Sequence, residues 1–153
     1  MRAPSSTLVV DTAILISAVL GKTAAAILLL QQTHILATTD RALQEAQRRI
    51  ELGLRRPELL VLLDNLAAII TVVPVTTLAF LLPRCEAALR DAVASRNGST
   101  RDTHILALAW SVESDIWTTD RDFAGTGVPT WSTPNLLRSL VGALQGPGSG
   151  PDV

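Results

Sequence analysis

The chain has 153 residues, enough for one domain with a real core. Hydrophobic residues make up 48 % and the mean hydropathy is +0.34, values that suit a sheet covered on both faces. A net charge of −1 excludes a global basic field, and 3 % aromatics without tyrosine leave few platforms for stacking unpaired bases.

Residues 1–6 form a short polar lead. Arg2, the apolar stretch after it and Ala24-Ala25-Ala26 imitate a secretion signal, but Asp11 interrupts the stretch. Residues 7–11, TLVVD, predict a buried β-branched strand, and a helix follows from Thr12. Gly21 interrupts that helix before residues 23–32 resume it. Gly21-Lys22-Thr23 lacks the upstream glycine of a phosphate loop, since position 16 is Ile. Residues 34–38, HILAT, predict a second strand. Thr39 or Asp40 then caps a helix that runs to about Gly53, and Pro57 opens another helix through Leu66.

Residues 66–83 carry no charge and resemble a membrane span, but Pro74 and Pro83 break them into helix end, strand and next helix. The strand is 69–75 and the helix 78–95. Cys85, the single cysteine, excludes an internal disulfide, reads as a packing residue and fits a reducing cytosol. After the loop 96–100, residues 101–113 predict a strongly apolar helix with Trp110 in the core. Residues 115–118 predict a strand, 125–127 a turn, 128–131 a short strand and 134–144 a last helix. Alternating strands and helices imply a parallel sheet. The expected organisation is one domain over 1–145 and a linker-like tail over 146–153.

Acids stand at particular places in this pattern. Asp11 closes the first strand, Asp102 opens a helix, Asp120 and Asp122 follow a strand, and Glu45 lies within a helix. Singly each has an ordinary explanation: a cap for Asp11, a helix first turn for Asp102, a turn for Asp120 and Asp122. Glu45 could simply face solvent among Arg41, Arg48 and Arg49. Jointly they point to the carboxyl edge of an α/β sheet, where such folds place their sites. A carboxylate cluster needs a cation, and hard divalent ions prefer oxygen. Two such ions about 4 Å apart serve phosphodiester hydrolysis. His34 and His104 are too few and badly spaced for a zinc site, and His104, two residues after Asp102, points to another face. Arg48, Arg49, Arg55 and Arg56 form a local basic patch, either a solvated face or a phosphate contact. Arg101 beside Asp102 suits charge compensation or RNA contact.

The segments VVDTAILISAVL, LQEAQRRI, RDTHILALA and IWTTDRDF, in this order and at these distances, resemble the ordered motifs of PIN-domain nucleases. The resemblance covers roughly residues 7–140. It implies a three-layer α/β/α sandwich with a mainly parallel central sheet, and Mg²⁺- or Mn²⁺-dependent cleavage of RNA to 5′-phosphate and 3′-hydroxyl products. It maps the family's acids onto Asp11, Glu45, Asp102 and Asp120. Asp11, Asp102 and Asp120 are then the expected metal ligands, with Asp122 as an outer contributor. Glu45 is expected to orient the attacking water or hold a second ion. Thr12 and Thr118 fill small polar positions that support such sites and, with Arg101, are the candidate substrate-binding residues. Many small bacterial members are toxins of the VapC type, cytoplasmic, often homodimeric and paired with a small antitoxin. Segments 54–66 and 78–90 are the expected places for an antitoxin helix or a second copy. One position departs from the pattern: the family often has Asn two residues after the first Asp, and here it is Ala13. Ala13 and the near-neutral charge also motivate an alternative, a PIN-like fold that binds RNA or a partner without cutting.

Overall fold

Strand β1 (Thr7–Val10) is the middle of a five-stranded sheet, and its burial explains its sequence. Leu8, Val9 and Val10 are fully buried, as a strand covered on both faces requires. The computed structural model describes residues 2–91, 102–119, 123 and 125–145. The other strands are β2 (Ile35–Thr39), β3 (Thr71–Val73), β4 (Asp115–Trp117) and β5 (Thr130–Trp131). Their order is β3-β2-β1-β4-β5 and every pairing is parallel, with Leu8 opposite Leu36 on one side and Val9 opposite Ile116 on the other.

Seven α-helices accompany the strands among the described residues: α1 (Thr12–Val19), α2 (Ala24–Leu30), α3 (Asp40–Arg48), α4 (Leu60–Ala67), α5 (Leu82–Arg90), α6 (Thr103–Ser111) and α7 (Thr133–Gln145). The chain moves outward from β1 to β2 to β3, then returns across β1 to β4. Right-handed crossovers therefore put α1, α3 and α4 on one face, where they pack on one another, and α5 with α6 on the other. The direction reverses between β1 and β4. That reversal opens a crevice at the carboxyl ends of the two strands.

The helices differ from the sequence expectation in detail. Gly21, at φ +89°, allows the chain to turn by 113° between α1 and α2. The helix expected to reach Gly53 does so, but its last turn, Arg49–Gly53, is a π-helix, with Leu54 N–H bonded to the Arg49 carbonyl at 2.7 Å. Residues expected as helix from 78 are a 3₁₀ turn, Val75–Leu78, followed by α5, with Pro83 in its first turn. Trp110 is half-buried against the core rather than inside it. Cys85 is buried, and burial pushes its thiol up to about 11, as befits packing. Among the described residues no single helix is long and apolar enough to cross a membrane. The expected loop 96–100 and tail 146–153 lie outside the described residues.

Candidate active site

Asp11 stands where β1 ends and α1 begins, on the crevice between β1 and β4. Its N–H donates to the Trp117 carbonyl at 3.3 Å, which extends the β1–β4 ladder by one residue. Its backbone is extended, and its Oδ1 accepts the Ile14 N–H at 3.0 Å, so it is the N-cap of α1. Its Oδ2 accepts a short hydrogen bond from the Thr118 hydroxyl, one residue past β4. At 4 % exposure this carboxylate is held by one group three positions away in the chain and another 107 positions away. Capping and a site role are thus compatible in one residue: the cap fixes one oxygen, and Thr118 orients the other.

Glu45 lies in the second turn of α3, and its carboxylate meets α1 and α6 rather than solvent alone. The Thr12 hydroxyl donates to Glu45 Oε2 at 3.3 Å, and His104 Nε2 lies 3.7 Å from Glu45 Oε1. Thr12 and Thr118 are both buried, and each hydroxyl donates to a carboxylate.

His104 is the residue sequence reasoning set aside. Counting two residues from Asp102 correctly turns it away from that acid, but turns it toward α3. Its side chain is fully buried. Nδ1 lies 2.7 Å from Thr39 Oγ1, and Thr39 also caps α3 by accepting the Ala42 N–H at 3.0 Å. Nε2 is buried with no hydrogen-bond partner among the described residues. Desolvation by burial pulls the imidazole down to about 4, helped by the charge of Arg41 and opposed by that of Asp40, so His104 is neutral at pH 7. The available signal was a histidine inside the apolar run HILALAW, since a buried imidazole must find partners.

Asp102 is the residue before α6, and its carbonyl accepts the N–H groups of Ile105 (3.0 Å) and Leu106 (3.2 Å). Because His104 reaches Thr39 at the end of β2, the start of α6 stands over the same sheet edge. Asp120, Asp122 and Arg101 lie outside the described residues. Among the described residues, no group of three or more His, Cys, Asp or Glu side chains is gathered closely enough to hold a metal ion. The acids present at the edge offer carboxylate oxygens, the donors that Mg²⁺ and Mn²⁺ prefer.

A second carboxylate, Asp115, escaped the sequence reading altogether. It opens β4 at the opposite edge and is 2 % exposed. Arg2 donates to both its oxygens (2.7 and 3.0 Å), and Ser5 N–H and Trp131 Nε1 add bonds of 3.1 and 2.9 Å. Burial pushes this carboxyl up, but the bonds from Arg2, Trp131 and Ser5 and the Arg2 charge outweigh it, and the net shift is downward.

A parallel α/β domain with acids and hydroxyls gathered at its switch-point crevice is the class that fold and site define. The sequence profile of the PIN domain matches residues 9–141, and the chain belongs to that family. No curated protein matches it. Among solved structures, the crystal structure of VapBC2 from Rickettsia felis, bound to a DNA fragment from their promoter, is similar with a TM-score of 0.66. The two are 14 % identical over 82 % of this chain and 98 % of that one, a likeness of fold.

Proposed function

We propose that this PIN domain is a Mg²⁺- or Mn²⁺-dependent endoribonuclease of the VapC toxin kind. The observation that supports it best is the convergence at one crevice of Asp11 from β1, Thr118 from β4, and Glu45 from α3 bonded to Thr12. Asp11, Glu45 and Asp102, with Asp120, would hold the ions. When bound, divalent ions supply Lewis-acid stabilisation of phosphoryl charge and an acidified water. The chain's own part is positional. Ile14 N–H and Thr118 fix the two oxygens of Asp11, and Thr12 fixes one oxygen of Glu45. Arg41 lies one turn before Glu45, and Arg48 and Arg49 one turn after, on the same side of α3. All three are exposed and none is in an ion pair with a described carboxylate, so they are available to a phosphate backbone.

The test is cleavage of a labelled structured RNA with Mn²⁺, beside an EDTA control and Asp11→Asn. Asn retains the N-cap, so the variant should stay folded and lose about 100-fold or more in rate. Equal cutting by the purified variant sinks the assignment.

The toxin part of the reading rests on an apolar groove of about 440 Å³ between α1–α2 and α4, lined by Ala18, Ile27, Leu28, Leu62, Leu66 and Ile69. Leu28, Leu62 and Ile69 are exposed there, which suits an amphipathic partner helix. It overlaps the expected segment 54–66, whereas 78–90 does not line it. Co-expression with the product of a neighbouring short gene should give a complex that survives gel filtration and that Leu28→Lys breaks. No complex with any such neighbour would leave a nuclease without the toxin pairing.

A further inference from the structure

Three helices that start at one sheet edge are joined by a closed circuit of side chains. Thr39 ends β2 and caps α3 through the Ala42 N–H. The same oxygen meets Nδ1 of His104 on α6. The far side of that ring, Nε2, faces Oε1 of Glu45, which is back on α3. Glu45 Oε2 in turn takes the hydroxyl of Thr12 on α1. Every link but one is at hydrogen-bond distance; the exception is the 3.7 Å between Nε2 and Oε1.

We propose that His104 is a positioning residue for Glu45: anchored by Thr39, its Nε2–H fixes the Glu45 carboxylate for the divalent ion that the proposed nuclease activity assigns to this crevice. The inference rests on that assignment. The proton placement follows from what each partner can do. A carboxylate only accepts, so the nitrogen facing Glu45 must donate; the Thr39 oxygen already accepts the Ala42 N–H, so its hydroxyl proton is free for Nδ1. The need is equally physical. A buried N–H without a partner is a cost to the folded chain. Closing the 3.7 Å gap by a small rotation of the half-exposed Glu45 removes that cost and aims the carboxylate at once. Glu45 has several rotatable bonds, and a carboxylate gripped from two sides loses less freedom on binding an ion. Supporting partners of this kind are worth roughly 10- to 100-fold in metal affinity or activity. His104 does not touch substrate, since it is fully buried.

The experiment separates the two nitrogens. In His104→Gln the side-chain amide reaches the place of Nε2 and can still donate to Glu45. In His104→Asn it reaches only the place of Nδ1. Mn²⁺ affinity, read by calorimetry, and RNA cleavage should fall roughly 10-fold or more in the Asn variant and stay within about threefold in the Gln variant. In a Glu45→Gln background, adding His104→Asn should change Mn²⁺ affinity by less than about twofold, because the residue acts through Glu45. A purely structural histidine would show equal losses in both single variants and a full further loss in the double. Either of those results overturns the inference. If the Asn variant does not fold, ¹⁵N spectra of the parent decide: with only His34 and His104 in the chain, a His104 proton on Nδ1 overturns the proposal and a proton on Nε2 supports it. A parent that takes up no Mn²⁺ removes the nuclease reading and this inference together. A parent that binds Mn²⁺ while the Asn and Gln variants match removes this inference alone.

Discussion

Asp115 and Glu45 lie toward opposite edges of the same sheet, and their partners differ in kind. Asp115 is gripped by a guanidinium on both oxygens, by an indole N–H and by a backbone N–H. Glu45 has a threonine hydroxyl and a neutral imidazole, and it keeps a third of its side-chain surface exposed. The first is a carboxylate whose charge is compensated within the chain, and its work is to fasten the N-terminal segment to β4. The second is oriented by dipoles, and among the described residues no arginine forms an ion pair with it. Orientation without neutralisation is what an acid needs if a cation is to arrive later.

Substitutions can break this contrast. The largest expected effect is at Glu45: Glu45→Gln should lower Mn²⁺-dependent RNA cleavage about 100-fold while the melting temperature moves little. A large drop in melting temperature with intact cleavage would make Glu45 structural and erase the difference from Asp115. Asp115→Asn should do the reverse. Loss of charge and of one acceptor leaves buried donors poorly matched, at roughly 1–3 kcal/mol, or about 3–10 °C for a chain of this size. Cleavage below the melting range should be unchanged; a variant that folds normally but does not cut would place Asp115 in the wrong group.

The smallest effect sharpens the same point through pH. The Asp115 carboxyl is held below its usual range, so the folded state binds its proton less readily than the unfolded chain does. Its stabilisation is fully present above the unfolded value, near 3.9, and is lost as pH falls through the lowered folded value. The gap in melting temperature between the parent and Asp115→Asn should be constant from about pH 5 to 8 and shrink below about pH 4. A gap that widens on acidification would contradict the bonding seen around Asp115.

Much of the sheet was legible because parallel strands leave a plain mark. TLVV, ILAT and DIW are short apolar runs, and each ends at an Asp or Thr that turns into the next element. The acids at those ends could be read because strand ends repeat at one edge. What could not be read depends on pairs distant in sequence. Nothing local in DIW says that Arg2, 113 positions earlier, closes on Asp115. Nothing in DTHIL says that His104 meets Thr39 and Glu45, because the face of α6 that matters is set by how α6 lies on β1 and β2. The π-turn at Arg49–Gly53 was hidden for another reason: its residues are ordinary helix formers, and only the register of the carbonyls changes.

The hydrogen bond from Thr118 to Asp11 has a consequence for how the protein is made. Asp11 leaves the ribosome early, and Thr118 only after 107 more residues have been joined. The neighbour of the central strand on that side arrives equally late, since β4 follows β1, β2 and β3 in the chain. At synthesis rates of about 5–20 residues per second, several seconds separate the two halves of the crevice. A nascent chain therefore carries the first acid without its support, and the crevice is not complete until most of the polypeptide exists.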